Sequence, residues 1–211
     1  MRKNFKNRGD GLKLLRKIRA DSAALVFFDP QYRAILDRMS YGNEGARQIK
    51  RFKMRQMTDE TIRDMAKEME RILRPSGHVA MWMDKYTLCN YGANPLFSIN
   101  VVDLITWDKM KIGMGYRTRR RGEYLMILQK APLRSKGVWR DKRIPDVWQE
   151  RQVRDFPHRK PDGLQRRLIL SMTEEGDLVV DPCAGSFGVL DACKEIKRDF
   201  LGCDVTIQRG R

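Results

Sequence analysis

The sequence predicts an α/β fold, with one layered sheet in a single domain. Three observations carry this reading. Short β-type runs alternate with segments of helical period along the chain, which suits a layered sheet and argues against a bundle or a sandwich. The run Leu25-Val26-Phe27-Phe28 is apolar without interruption and stops abruptly at Asp29-Pro30-Gln31-Tyr32, as a buried strand does where it ends at a lip. A chain of 211 residues is long enough for one well-buried domain and too short for two of ordinary size, so residues 1–211 are expected to form one unit.

Seven strands are expected, at residues 3–6, 24–29, 78–83, 99–107, 123–129, 177–181 and 199–203. Ahead of the second, Gly9-Asp10-Gly11-Leu12 leads into a short amphipathic helix. Between the second and third, Ile62, Met65, Ala66, Met69, Ile72 and Leu73 recur at helical spacing. Thr58 stands before them as an N-cap and Pro75-Ser76-Gly77 follows as a stop, so a helix is predicted over residues 58–73, its methionines serving only as packing. Leu164, Leu168, Ile169 and Met172 mark another helix, and residues 189–196 a further one. Repeats and low-complexity tracts are absent from the sequence.

Lys and Arg number 43 against 27 Asp and Glu, a formal charge of +16 that attracts polyanions such as nucleic acid. Cys89, Cys183, Cys193 and Cys203 form no CxxC pair and there are two histidines, so neither a zinc site nor a disulfide framework is expected. A reduced, cytoplasmic compartment fits this usage, and no apolar window approaches a membrane span or a signal core. Two stretches break the alternation of elements. Residues 33–57 carry Arg33, Arg38, Arg47, Lys50, Arg51, Lys53 and Arg55 with few apolar residues, and read as a basic loop excursion. Residues 131–157 interleave cations, among them Arg140, Lys142 and Arg143, with Trp139, Trp148 and Phe156, a composition suited to phosphate contact and base stacking.

The chemistry-bearing residues begin with a second strand of the same build. Asp177-Leu178-Val179-Val180-Asp181-Pro182 runs into Cys183-Ala184-Gly185-Ser186-Phe187-Gly188, where small residues leave backbone N–H groups open to close approach by a ligand at a helix start. The next strand ends at Asp204, 19 residues beyond Gly185, the spacing at which a carboxylate reaches a ribose diol.

These motifs together resemble the β-class S-adenosylmethionine-dependent DNA amino methyltransferases, the adenine-specific DNA methylase family. The resemblance rests on Gly9-Asp10-Gly11-Leu12, Asp29-Pro30-Gln31-Tyr32, Trp107-Asp108-Lys109 with Arg117 and residues 123–130, His158-Arg159-Lys160-Pro161, residues 181–186 and 200–204. It implies a single Rossmann-like methyltransferase domain, with a seven-stranded, mostly parallel sheet covered by helices on both faces. The motif order is permuted, the catalytic half preceding the cofactor half. Carried over by position, Asp29 accepts a hydrogen bond from the target amino group, the Pro30 carbonyl a second, with Gln31 beside them, and Tyr32 stacks on an extruded base. Asp181, Cys183, Ala184, Gly185, Ser186 and Phe187 line the methionine end of S-adenosylmethionine. Lys160 and His158 lie near its carboxylate, Asp204 holds the ribose and Asp10 approaches the adenine. Arg33, Arg47, Lys50, Arg51, Lys53, Arg117, Trp139, Arg140, Lys142 and Arg143 face DNA, no metal takes part, and residues 131–157 form a small target-recognition segment. The implied partner is DNA, with no membrane, and a homodimer is left open.

An amine conjugated to its ring is a poor nucleophile, and two acceptors aimed at its hydrogens favour in-line attack on a sulfonium methyl. Such an atom is out of reach inside a duplex, so base flipping is implied, an aromatic wall offsetting part of an unstacking cost of roughly a few kcal/mol. Two departures stand out: Gln31 replaces the second proline of Asp-Pro-Pro-Tyr, and Phe187 replaces the second glycine of Gly-Ser-Gly, with Gly188 expected to supply the freedom one place later. An Asp-led motif favours adenine within the family and a Ser-led one cytosine. A cytosine amino methyltransferase and a catalytically silent nucleic-acid-binding module of the same fold remain the alternatives, and target choice is expected to be short or relaxed.

Overall fold

The computed structural model describes residues 1–30, 57–113, 118–153 and 159–206. A single sheet carries eight strands: β1 (Asn7–Arg8), β2 (Ala23–Phe28), β3 (Leu73–Met83), β4 (Asn100–Asp108), β5 (Gly122–Gln129), β6 (Val147–Gln149), β7 (Leu178–Asp181) and β8 (Asp199–Asp204). Five helices accompany them among the described residues: α1 (Gly11–Leu15), α2 (Asp59–Ile72), α3 (Lys85–Tyr91), α4 (Asp162–Met172) and α5 (Gly188–Glu195). The spatial order is β1-β8-β7-β2-β3-β5-β4-β6. All neighbours pair in parallel except β5, which is antiparallel to both β3 and β4. The sheet is thus mostly parallel as expected, with eight strands among the described residues in place of seven.

The continuous apolar run of β2 is explained by its neighbours. Val26 and Phe28 turn to one face, where they meet Leu14 and Leu15 of α1 and Ile62, Met65 and Met69 of α2. Leu25 and Phe27 turn to the other, against Leu164, Leu168 and Ile169 of α4 and Leu190 of α5. A strand covered on both faces has no solvent side to mark with polar residues. Complete burial of each such side chain contributes about 1.5–3 kcal/mol.

Helix α2 forms where its periodicity predicts, with Thr58 as N-cap accepting from the Thr61 amide at 3.1 Å and Asp59 and Glu60 in the first turn. Its end differs from expectation. Leu73 passes directly into β3, and Pro75-Ser76-Gly77 forms a bulge within that strand: Ala23 pairs with Leu73, while Leu25 pairs with His78. Strand β1 also lies later than residues 3–6, because the buried Asn7 side chain donates to the Gly202 carbonyl (3.0 Å) and docks the backbone at Asn7–Arg8 beside β8. Strand β6 and helix α3 have weak sequence signals, three residues in one case and a single buried residue, Tyr91, in the other. Helix α3 is held at its start by Asp84, which accepts from Tyr86 and Thr87.

The order reverses between β7 and β2. The β7–α5–β8 crossover proceeds to one side and β2–α2–β3 to the other, so the C-terminal ends of β2 and β7 flank a crevice of the kind where open α/β sheets bind ligands. No helix among the described residues is long and apolar enough to cross a membrane.

Helix α1 is packed tightly against this edge. A Cβ at Gly11 would collide with the Pro182 carbonyl and lie 2.9 Å from Met65 Cε. Gly11→Ala is therefore expected to lower stability by about 1–3 kcal/mol, the usual cost of overpacking. Urea unfolding checks this, and an unchanged midpoint would show that α1 shifts freely.

Candidate active site

Asp29 follows β2 directly and Asp181 ends β7, and the pairing of Val26 with Val180 brings both to the same end of adjacent strands. The Asp29 side chain is 40% exposed. Asp181 is buried and accepts from the Cys183 amide at 3.1 Å. Burial pushes its carboxyl up to about 8, opposed by the Cys183 N–H and reinforced by the charges of Asp29 and Asp204. Burial, and then the same three carboxylates, hold the Cys183 thiol well above its ordinary range. Gln31 and Tyr32 lie outside the described residues.

The turn after Asp181 is anchored from β8. The Ala184 amide donates to the Cys203 carbonyl (3.0 Å) and the Gly185 amide to Asp204 Oδ2 (3.1 Å). Gly185 has φ +47°, and a Cβ there would meet only the Cys183 carbonyl oxygen, at 4.0 Å, which leaves open space beside the half-buried Ser186. Phe187, not Gly188, takes the second left-handed position, with φ 64°. This corrects the expectation that Gly188 supplies the freedom one place later. The strain of about 1–2 kcal/mol is offset because the Phe187 ring is buried, edge-on to Phe200 at 6.5 Å, and full burial of a Phe contributes about 1.5–3 kcal/mol. Asp204 Oδ1 also accepts from the Thr206 amide (2.8 Å) and hydroxyl (3.1 Å), so this acid shapes the turn as well as facing the edge. Asp10 caps α1 through the Lys13 amide (2.8 Å), and the adjoining Gly9 amide donates to the Asp204 carbonyl (2.9 Å). Asp10, Asp181 and Asp204 thus gather around one turn.

Lys160 stands between the two halves. Its Nζ lies 3.1 Å from Asp29 Oδ1 and 2.9 Å from Glu123 Oε2, and 5.2 Å from the centre of the Trp82 ring. Glu123, at the start of β5, is also paired with Lys109. Burial pushes the Glu123 carboxyl up, but Lys160 and Lys109 overcome it and bring it down to about 2. Burial likewise pulls the Lys160 ammonium down, and Asp29 and Glu123 more than reverse this. Glu123 and Lys109 lie in the stretches that carry the family resemblance, but sequence assigns neither an individual role. The usable signal was the hairpin register, which sets Trp107 opposite Glu123 and Asp108 opposite Gly122, and so carries Lys109 to the same strand end.

The predicted nucleic-acid residues separate. Arg33, Arg47, Lys50, Arg51, Lys53 and Arg117, with His158 of the cofactor set, lie outside the described residues. Trp139 and Arg140 sit toward the opposite end of the strands from Asp29. The Trp139 ring packs 6.0 Å from His78, just after the bulge of β3, and donates to the Asp141 carbonyl, and Arg140 donates to the Thr173 carbonyl and Glu174 ahead of β7. Lys142 and Arg143 are exposed on the same segment, the Arg143 side chain 3.7 Å from Asp141. At the Asp29 end, the described cations include, besides Lys85 and Lys160, those of the β4–β5 hairpin: Lys109, Lys111, Arg119, Arg120 and Arg121, the last in a two-bond pair with Asp108 (2.6 and 2.7 Å).

The raised Asp181 carboxyl has a consequence for stability. Its folded pKa lies above the unfolded value near 3.8, so its contribution is fully present below about pH 4 and lost as pH rises toward 8. Each unit of displacement corresponds to about 1.4 kcal/mol, so Asp181→Asn, which keeps an acceptor for Cys183, is expected to stabilise the unliganded protein at pH 8 by about 2 kcal/mol or more. Urea titrations at pH 5 and pH 8 decide it: an equal effect at both would contradict the assignment.

Comparison with known proteins fits this geometry. Residues 23–209 match the N6/N4 family model described as DNA methylase. Type II methyltransferase M.HhaII of Haemophilus parahaemolyticus is 48% identical over 208 residues, covering 96% of this chain and 91% of that protein. DNA adenine methyltransferase YhdJ of Escherichia coli K12 is 26% identical, over 93% of this chain and 76% of its own length. Among solved structures, the PvuII DNA methyltransferase, cytosine-N4-specific, superposes with TM-score 0.68 at 16% identity over 95% of this chain and 81% of that one, a likeness of fold. The two Asp-Pro strand ends and the anchored glycine turn lie within the matched span, and the chain belongs to the N6/N4 DNA methylase family.

Proposed function

We propose that this DNA methylase transfers the methyl group of S-adenosylmethionine to the exocyclic amino group of adenine, after flipping the base from the duplex. The observation that carries the reading is the placement of Asp29-Pro30 and of residues 181–188 at the same end of the adjacent strands β2 and β7. An acceptor pair and a ligand-cradling turn then face one crevice.

The turn fits the cofactor. Gly185 has open space beside it, and Asp204 sets a carboxylate at the turn beside the buried Asp181, in a protein of formal charge +16. Asp181, Cys183, Ala184, Gly185, Ser186 and Phe187 would hold it, with Asp204 at the ribose, Asp10 at the adenine, and His158 and Lys160 toward the carboxylate. The bound cofactor supplies an electrophilic methyl on a sulfonium. Asp29 and the Pro30 carbonyl accept the amino hydrogens, which draws the nitrogen lone pair out of conjugation and aims it at that methyl, while the proton displaced from nitrogen leaves to water. Tyr32 supplies the stacking wall for the flipped base. The Asp-led motif favours adenine, in keeping with the similarity to DNA adenine methyltransferase YhdJ.

DNA would approach across the strand ends, where the β4–β5 hairpin presents its cations and from which residues 33–57 depart. Phosphate contacts then dominate affinity, and target choice is short or relaxed, because the Trp139 indole is engaged with the Asp141 carbonyl and Arg140 with the Thr173 carbonyl and Glu174. A homodimer is compatible with this use of the surface.

Incubation with unmethylated DNA and labelled cofactor, followed by digestion to nucleosides, is expected to yield N6-methyladenine. N4-methylcytosine would overturn the choice of base, and cofactor binding without transfer would favour the silent module. Asp29→Ala is expected to lower the transfer rate by about 10²–10⁴-fold with cofactor affinity retained in calorimetry. Joint loss of both in a folded variant would move Asp29 to the cofactor.

A further inference from the structure

The charged chain Lys109–Glu123–Lys160–Asp29 crosses from the β4–β5 hairpin to the end of β2, and its first two members, Lys109 and Glu123, have no part in the reaction given under Proposed function. Exposure rises along its last link, from 14% at the Lys160 side chain to 40% at Asp29, so a covered cation holds a carboxylate that opens to the crevice. Below Lys160 lies Trp82, whose ring meets Trp107 edge-on at 5.9 Å, and Trp107 in turn lies beneath Lys109 at 5.3 Å. The two lysines therefore rest on one indole floor with Glu123 between them. Two ammoniums and two carboxylates make the chain neutral, which is the condition for keeping such groups covered.

We infer that Glu123 is a positioning residue of the methyl transfer: gripped by Lys109, it holds Lys160, and Lys160 sets the plane of the Asp29 carboxylate. The inference rests on the role of Asp29 given under Proposed function. A lysine has a flexible four-carbon stem and three donors without a fixed fork. With Asp29 as its only carboxylate partner, its ammonium could swing, and the carboxylate with it. Glu123 removes that freedom by accepting a second bond from the same nitrogen at 2.9 Å. Stability alone is a weak reason for the arrangement, because a buried ion pair seldom contributes more than apolar packing of the same volume. Orientation is a stronger one, since a misplacement of about 1 Å in a reacting geometry costs about 10²-fold in rate.

The test is single-turnover methyl transfer to DNA, measured with cofactor affinity by calorimetry and with thermal unfolding, for wild type, Glu123→Gln, Lys160→Met and the double variant. Glu123→Gln is expected to lower the transfer rate by about 10–100-fold while cofactor affinity stays within a factor of about three, a split that a merely structural residue would not give. The double variant should be no slower than Lys160→Met alone, because Glu123 acts through Lys160. Independent, multiplicative losses, or a Glu123→Gln rate equal to wild type, would overturn the inference. If Glu123→Gln does not fold, Lys109→Met loosens Glu123 from its other side and should lower the rate by a smaller factor with the same unchanged affinity; a wild-type rate there would also overturn it. An inactive wild type would instead sink the reading under Proposed function, and this inference with it, whereas an active wild type with an unaffected Glu123→Gln sinks the inference alone.

Discussion

The parallel pairing of β2 with β7 is the constraint on which the rest of the molecule depends. Both strands are covered on both faces, so their register is fixed by packing as well as by the ladder, and both run into Asp-Pro. Proline has no N–H to continue a ladder, so the sheet must release both chains at the same edge. Two carboxylates and two turns that are distant in sequence thereby meet. The reversal of strand order at this pair opens the crevice between them, and the close seating of Gly11 on Pro182 ties α1, and with it Asp10, to the same edge.

Charge at this edge runs against the charge of the whole. A chain with a formal +16 gathers Asp10, Asp29, Asp181 and Asp204 around one turn and leaves Asp181 so deeply covered that burial outweighs its hydrogen bond. Lys160 and Lys109 enter as counter-charges, but Glu123 comes with them, so the group around Asp29 is balanced while the group around Asp181 is not. The balanced part can stay fixed in position. The unbalanced part favours a cationic ligand, which would relieve the mutual repulsion of the acids that surround it.

Much of this was legible in the sequence, for identifiable reasons. An apolar run ending in Asp-Pro is specific because both halves of the pattern have a physical meaning, and β2, β7 and the helix 59–72 fell where their patterns place them. What failed lacked such a pattern. Strand β6 is three residues that take their partner from β4, and Pro75-Ser76-Gly77 could not be told from a loop without the neighbour that makes it a bulge. Phe187 broke a glycine motif because burial of its ring, a tertiary fact, offsets the backbone strain. The meeting of Glu123 and Lys109 with Lys160 was not legible, because it depends on which end of the sheet the hairpin turns at.

That end is decided by the direction of one strand. Since β5 runs against β3 and β4, the β4–β5 connection needs no helix and lies at the edge where Asp29 stands. A parallel strand in that place would have carried Glu123 to the far edge and left Lys160 with Asp29 alone. The same reversal releases the chain after Gln129 at the edge opposite Asp29, so residues 131–146 climb back along α4 to reach β6. Arg140 tied to the end of α4 and Trp139 laid on His78 are the fastenings of that climb, whatever their composition suggests. The described segment that leaves from the Asp29 edge itself is the β4–β5 hairpin, which brings Lys109, Lys111, Arg119, Arg120 and Arg121 to that side.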